Sequence, residues 1–334
     1  MMRLANMFFA GLLWAAALVP VGSQAQTVDG KPIVKIRFIY TLTASTFPIL
    51  YAMEQGLFKK RGIEVEAVQM ANLQALYTAY RAGTGDIGGG GLASIVNLRG
   101  NGVPIKVLWG ATTMSNDILI KADSNIKDIK ELRGRQIGVI GGASGTTANM
   151  LIGLLIEQFG FDPRKDAQLK YGAAALQANM LMRGDLDVFV STDPITAIEL
   201  ANNRAISIGE LGEMYGKQSG GYIPHVGALA VSDRFAQENP DAVNKFLGGW
   251  VEGVRALQTT PSLWPSFLSK QLKIDDPKVV DLMMKRTAHL WPTEWTKRNI
   301  EGEIEALKYM NKNAGKGFLD KVPDDAFTLE FSPQ

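Results

Sequence analysis

The 334-residue chain has no cysteine, only two histidines, and almost no net charge: 35 Lys and Arg stand against 33 Asp and Glu, for a formal +2. The missing thiols exclude disulfide scaffolds, thiolate metal sites and a lipid attached to an N-terminal cysteine. Near neutrality, with no long basic run, excludes nucleic acid as the main partner, because phosphate binding needs clustered Lys and Arg. His225 and His289 lie far apart, and neither has a second His or paired carboxylate at metal-ligand spacing, so no metal and no cofactor are expected. Long apolar runs are also scarce. The one candidate, residues 7–21, is interrupted by Pro20 and falls short of the roughly 20 residues that span a bilayer.

That run has a different use. It follows a single charge, Arg3, and is followed by Gly22, Ser23, Gln24 and Ala25, small residues where a signal peptidase reads. The three-part pattern predicts an export signal over 1–25, removed near Ala25.

From Pro32 onward, β-rich runs alternate with helical ones. Strands are predicted at 33–40, 63–68, 86–87 and 105–109, with helices at 48–60, 73–82 and 93–99 between them. This order implies a mostly parallel sheet with helices on both faces. A second α/β set starts near Asp117: strands at 119–121, 136–140, 169–171, 188–190 and 205–208, helices at 126–132, 147–159, 174–183 and 194–202. Beyond Gly220 a strand at 226–231 leads into a helical tail over 240–258, 261–271, 277–288 and 293–311, several of these segments opening on Pro or Asp as helix starts favour.

Three loops after strands could carry chemistry. Residues 141–147 (Gly-Gly-Ala-Ser-Gly-Thr-Thr) sit between a strand and a helix, where glycines let a ligand approach the backbone and free N–H groups attract oxyanions. Simple helix capping by Ser or Thr is the alternative. Nucleotide readings fail: no Lys follows for a P-loop, and the third glycine of a dinucleotide fingerprint is missing. Ser144 is not in a nucleophile elbow either, since Thr146 stands where the second glycine is needed. Residues 86–94 read as a second glycine turn at a strand end, where open α/β sheets place ligands, or as close packing. The third is the hydroxyl-rich turn 41–46. Asp185 and Asp187 read as the end of a helix and the start of a strand. The tail's Trp250, Trp264, Met283, Met284, Trp291 and Trp295 read as core or groove lining.

Taken together, ordered segments over about 36–245 resemble the periplasmic substrate-binding proteins of ABC importers of the nitrate/taurine/alkanesulfonate type (NitT/TauT, SsuA/THI5-like). Phe47-Pro48-Ile49-Leu50-Tyr51-Ala52 with Glu54, Gly56-Leu57-Phe58 and Gly62-Ile63-Glu64-Val65 looks like that family's opening. Ala82-Gly83 with Asp86-Ile87-Gly88 looks like its glycine turn. Asp128, Leu132-Arg133-Gly134-Arg135 and Ile137-Gly138-Val139 resemble its strand entry, and Ala178, Leu181, Gly184-Asp185, Asp187-Val188 with Thr192-Asp193-Pro194 its later stretch. Asp193 departs from the usual Glu by one methylene.

The resemblance implies an α/β type II periplasmic-binding-protein fold, two lobes joined by a two-crossover hinge with a ligand cleft between them. Lobe 1 would hold 26–113 and 225–334, including the C-terminal helices, and lobe 2 would hold 114–224. It places ligand contacts at Ser45, Thr46, Tyr51, Gly90, Gly91, Leu92, Ser144, Gly145, Thr146, Thr192 and Asp193. It implies a monomeric, non-enzymatic receptor in the periplasm that binds a small sulfonate, taurine, nitrate or related solute by hinge closure and hands it to an ABC permease and its ATPase. With no Arg in the candidate loops to clamp an anion, a pyrimidine, another thiamine precursor or an aromatic acid stays open as ligand. The rivals of another class are a cleft-bearing sensor and the thiamine-pyrimidine synthase of the same fold; the latter's Cys-rich iron motif cannot exist in a chain without cysteine.

Overall fold

The computed structural model describes residues 27–28, 31–314, 318–319 and 321–333, so the predicted export signal at 1–25 lies outside the described residues. β1 (Thr27–Val28) and β2 (Lys31–Pro32) pair antiparallel and belong to a unit separate from the larger one, which begins at Val34.

In chain order the strands of the larger unit are β3 (Val34–Tyr40), β4 (Ile63–Gln69), β5 (Ile87–Gly91), β6 (Ile105–Thr113), β7 (Asp117–Lys121), β8 (Gln136–Ile140), β9 (Gln168–Gly172), β10 (Val188–Ser191), β11 (Ala205–Glu210) and β12 (His225–Ser232). The helices are α1 (Phe47–Glu54), α2 (Leu57–Lys60), α3 (Leu73–Arg81), α4 (Leu92–Gly100), α5 (Thr146–Phe159), α6 (Pro163–Asp166), α7 (Ala174–Arg183), α8 (Ile195–Ala201), α9 (Leu211–Gln218), α10 (Asp233–Glu238), α11 (Pro240–Thr259), α12 (Trp264–Leu272), α13 (Pro277–Thr287) and α14 (Lys297–Ala314).

These strands form two five-stranded sheets, ordered β4-β3-β5-β12-β6 and β11-β7-β10-β8-β9. The two orders follow one plan. In each sheet neighbouring βα units pair in parallel, β3 with β4 and β5, β8 with β9 and β10. Each also holds one antiparallel strand, which is the one the chain enters on crossing over: β7 on arrival at the second sheet, β12 on return to the first. The mostly parallel reading therefore holds, with one reversed strand per sheet. The C-terminal ends of β3, β5, β8 and β10 carry the loops singled out in the sequence, the edge at which open α/β sheets bind ligands.

Two local differences from the sequence reading have physical causes. The single predicted helix 48–60 is two helices, because Gly56 takes a left-handed φ of 66° between α1 and α2. Gly88 to Gly91 are strand rather than turn. A Cβ on Gly88 would lie 2.4 Å from Tyr80 Oη and 2.6 Å from the Ile39 carbonyl oxygen, so glycine lets β5 pack against its neighbours while staying extended.

The core is continuous around the first sheet and into the tail. Phe38 and Phe58 both pack on Phe246 of α11, Phe58 stacking at 5.2 Å, and Trp264 stacks on Trp291 at 5.8 Å. Each such fully buried side chain contributes about 1.5–3 kcal/mol by leaving water.

The tail reaches elements of both sheets. Arg286 of α13 bonds Asp117 of β7 and Asp193 just after β10, both strands of the second sheet, and Lys312 and Asn313 of α14 bond Glu157 of α5. Beyond α14 the chain returns: the Val107 N–H donates to the Ala326 carbonyl at 2.8 Å, and Arg99 pairs with Asp325.

Candidate functional site

The loops after β3, β5, β8 and β10 meet between the two sheets. Thr146 Oγ1, at the first position of α5, accepts the backbone N–H of Ala93 in α4 at 3.1 Å. A Cβ on Gly91 would come within 3.0 Å of that same oxygen, so glycine there is what allows the lobes to touch. A second contact joins the loop after β3 to the loop after β10: the Ala44 N–H donates to the Asp193 carbonyl at 3.3 Å. Two hydrogen bonds thus join the loops of the two sheets.

Helices α4 and α5 face this contact with their N-termini, and both begin after a glycine, Gly91 and Gly145, that has no side chain to cap them; of the first-turn donors of α4, the Ala93 N–H is taken by Thr146 Oγ1. Helices α1, α7 and α11 likewise start without a side-chain cap, whereas Asn72 caps α3 and Asp276 caps α13 through their side chains. Uncapped first-turn N–H groups carry the positive end of the helix dipole, so two such ends from opposite lobes make a place for an anion. Supporting groups fix the loops. Asn149, buried in α5, donates to the carbonyls of Ala143 at 3.2 Å and Gly145 at 2.8 Å. Tyr77 Oη accepts the Gly91 N–H at 3.1 Å, and Tyr80 Oη donates to the Gly89 carbonyl at 2.9 Å.

Of the residues named from sequence, Gly90, Gly91, Leu92, Gly145 and Thr146 fall at this junction. Leu92 is fully buried, so only its backbone is available there. Thr46 is buried and its hydroxyl donates to the Thr43 carbonyl, while Ser45 Oγ lies 2.7 Å from Thr43 Oγ1. Ser144 is exposed and Thr192 half-buried. Tyr51 departs from the set: it packs edge-on against Phe267 in the helical layer, and burial together with Glu54 and Glu252 pushes its phenol up.

Asp193 is at the site but already engaged. Its carboxylate accepts the Ala197 N–H at 2.9 Å and Arg286 Nε at 3.1 Å, and it is 1% exposed. Arg286 also donates through Nη2 to Asp117. Strand register sets Asp117 directly opposite Ser191 on one side and Glu210 on the other, so the three side chains share one face of the second sheet. Burial is the first cause that raises all three acids, Asp117, Asp193 to about 6 and Glu210 to about 7; Arg286 opposes it in each case. Nearby, Ser191 Oγ and Asn116 Oδ1 are buried without a hydrogen-bond partner.

Sequence reasoning missed Arg286 and Asn149. Arg286 lies 93 positions from Asp193 on a helix whose pattern shows only packing. Asn149 had a local signal: a polar residue on the apolar face of the α5 pattern, four residues after the N-capping Gly145.

A family model described as NMT1/THI5 like matches residues 43–262. A relative from Bacillus subtilis (strain 168), named for aliphatic sulfonate binding, is 25% identical over 279 residues, covering 82% of this chain and 80% of that one. Among solved structures, the alkanesulfonate-binding protein SsuA from Xanthomonas axonopodis pv. citri bound to MOPS superposes with a TM-score of 0.71 at 17% identity, over 88% of this chain and 96% of that chain. The periplasmic nitrate-binding protein NrtA from Synechocystis PCC 6803 gives 0.62 at 14% identity, over 76% and 70%. The two-lobed architecture is thus that of periplasmic binding proteins.

Proposed function

The chain belongs to the NMT1/THI5-like family, and from that footing we propose that it is the solute-binding component of an ABC importer for a small organic anion, with a sulfonate as the favoured class. The observation that carries this reading is the meeting of two glycine-led helix N-termini, α4 and α5, from opposite lobes at the Ala93–Thr146 contact. Neither end alone surrounds an anion; closure brings both to it, so affinity and closure are one event. The names of the Bacillus and Xanthomonas relatives support the same class.

In this reading the lobes divide at the crossovers, 26–113 with 225–334 against 114–224, and the tail bridges them. The chain is exported by removal of 1–25, works in the periplasm as a monomer, and presents its closed form to a permease and ATPase. It is a receptor and not an enzyme: Thr146 and Arg286 are engaged in holding loops, and the carboxylates of Asp117 and Asp193 in an ion-pair cluster.

The test is a thermal-shift panel on the mature protein, followed by calorimetry. Alkanesulfonates, MOPS among them, are expected to raise the melting temperature, nitrate and aromatic carboxylates less so, and pyrimidines not at all. A shift by pyrimidines alone would replace the anion reading with the heterocycle one.

A further inference from the structure

The second crossover is tied to the tail by one buried carboxylate. Glu303 Oε1 of α14 accepts Tyr222 Oη at 2.6 Å and the His225 backbone N–H at 2.9 Å, and His225 Nδ1 lies 2.7 Å from the same oxygen. Glu303 is 1% exposed, and its Oε2 has no partner. A buried carboxylate held this incompletely contributes little stability against an apolar replacement of similar size, which points to positional use.

The surroundings show what is positioned. Just before Tyr222, Gly220 and Gly221 take positive φ of 70° and 94°, and a cavity of about 480 Å³ opens beside them, lined in part by Tyr215, Ile223 and Arg298. The crossover thus has both permissive backbone and free space just ahead of the anchored residues. Gly302 lets the tyrosine ring lie flat on α14, since a Cβ there would be 2.3 Å from it.

Helix α14 itself runs from one lobe to the other. Before it, Trp295 packs edge-on to His225 at 5.4 Å, and Trp109 of β6 donates to the Pro292 carbonyl. At its far end Tyr309 fills the space over Gly153 of α5, and Lys312 pairs with Glu157 at 2.7 Å.

We infer that Glu303 is the pivot of lobe movement: it fixes Tyr222 and His225 to a helix that both lobes hold, so that the crossover turns at Gly220–Gly221 and nowhere beyond. Glu303 and Tyr222 are positioning residues.

The test needs no ligand, so it stands apart from the function proposed above. Because the chain has no cysteine, Lys60→Cys in α2 and Lys165→Cys in α6 give one spin-label pair, and the interlobe distance distribution is read by double electron–electron resonance. Tyr222→Phe and Glu303→Ala are each expected to widen that distribution about twofold. Lys308→Ala, which removes only a surface pair on the same helix, leaves it unchanged. Should Glu303→Ala fail to fold by circular dichroism, Tyr222→Phe decides; a folded Tyr222→Phe with the parent distribution overturns the pivot.

Discussion

Thr146 Oγ1 accepts the Ala93 N–H across the interlobe contact at 3.1 Å, and it does so from the first residue of a helix that lacks a side-chain cap. In the proposed function the hydroxyl therefore serves the interlobe contact and the anion-facing surface together. Removing it in Thr146→Ala is expected to weaken sulfonate binding by about tenfold, or about 1.4 kcal/mol. Ser144→Ala, at an exposed position of the same loop, should change affinity by no more than about twofold. Calorimetry on both variants separates them, and equal losses would mean that the exposed hydroxyl, and not the interlobe one, meets the solute.

Arg286 is the cation that Asp117 and Asp193 share. Breaking a buried ion pair by removing one partner leaves uncompensated charge and costs about 3–5 kcal/mol. Arg286→Met is expected to destabilise by that order in urea unfolding at pH 8. Adding Asp193→Asn to it should recover part of the loss, because one of the stranded carboxylates is then neutral. If the double variant is no more stable than Arg286→Met, the two residues are not coupled as their geometry indicates.

How far the sequence alone discloses this molecule depends on where each signal lies. The βα alternation is local: the strands predicted at 33–40 and 136–140 are found within a residue of those limits, whereas those predicted at 86–87 and 105–109 each run four residues further, to Gly91 and Thr113. Helix α9 escapes because Gly212 and Gly216 each lower helix propensity by about 1 kcal/mol. Gly212 is needed all the same, since a Cβ there would lie 2.0 Å from the Met114 carbonyl oxygen of the first crossover. The loops at 91–93 and 141–146 could be named because a glycine-rich strand-to-helix junction is a local motif. Arg286, Glu303 and the displacement of Tyr51 to Phe267 could not, because each depends on tail packing against residues 78 to 216 positions away.

The acid row on the second sheet has a pH signature. Glu210 is raised from its ordinary 4.5 to about 7, by burial first and then by the charges of Asp117 and Glu213. A carboxyl whose pKa is higher folded than unfolded contributes stability that is complete below about pH 4.5 and is lost as pH rises through about 7. Asp193, raised to about 6, contributes in the same sense over about pH 4 to 6. Glu210→Gln should therefore flatten the melting temperature between pH 5 and 8, with the variant a few degrees above the parent at pH 8 and close to it at pH 5. A larger gain at pH 5 than at pH 8 would reverse the sign and show that Glu210 is ionised in the fold at low pH.

The contacts of α1 and α2 with α11 are set by glycines whose need is steric. A Cβ on Gly253 would stand 2.3 Å from the Pro48 carbonyl oxygen, a backbone atom that cannot swing aside, whereas one on Gly249 would meet the Phe58 ring at 2.4 Å. Replacing a helical glycine with alanine ordinarily stabilises by about 1 kcal/mol. Here the clash reverses the sign. Gly253→Ala is expected to destabilise by about 1–3 kcal/mol, since α1 would have to shift away from α11 and carry with it the loop 41–46 that leads into it. Gly249→Ala presses on a side chain that is itself stacked on Phe246, so it too should destabilise, but by less, because a ring can tilt where a carbonyl cannot. Urea unfolding of the two single variants gives the order directly, and a stabilised Gly253→Ala would show that the helices are not in the close contact described.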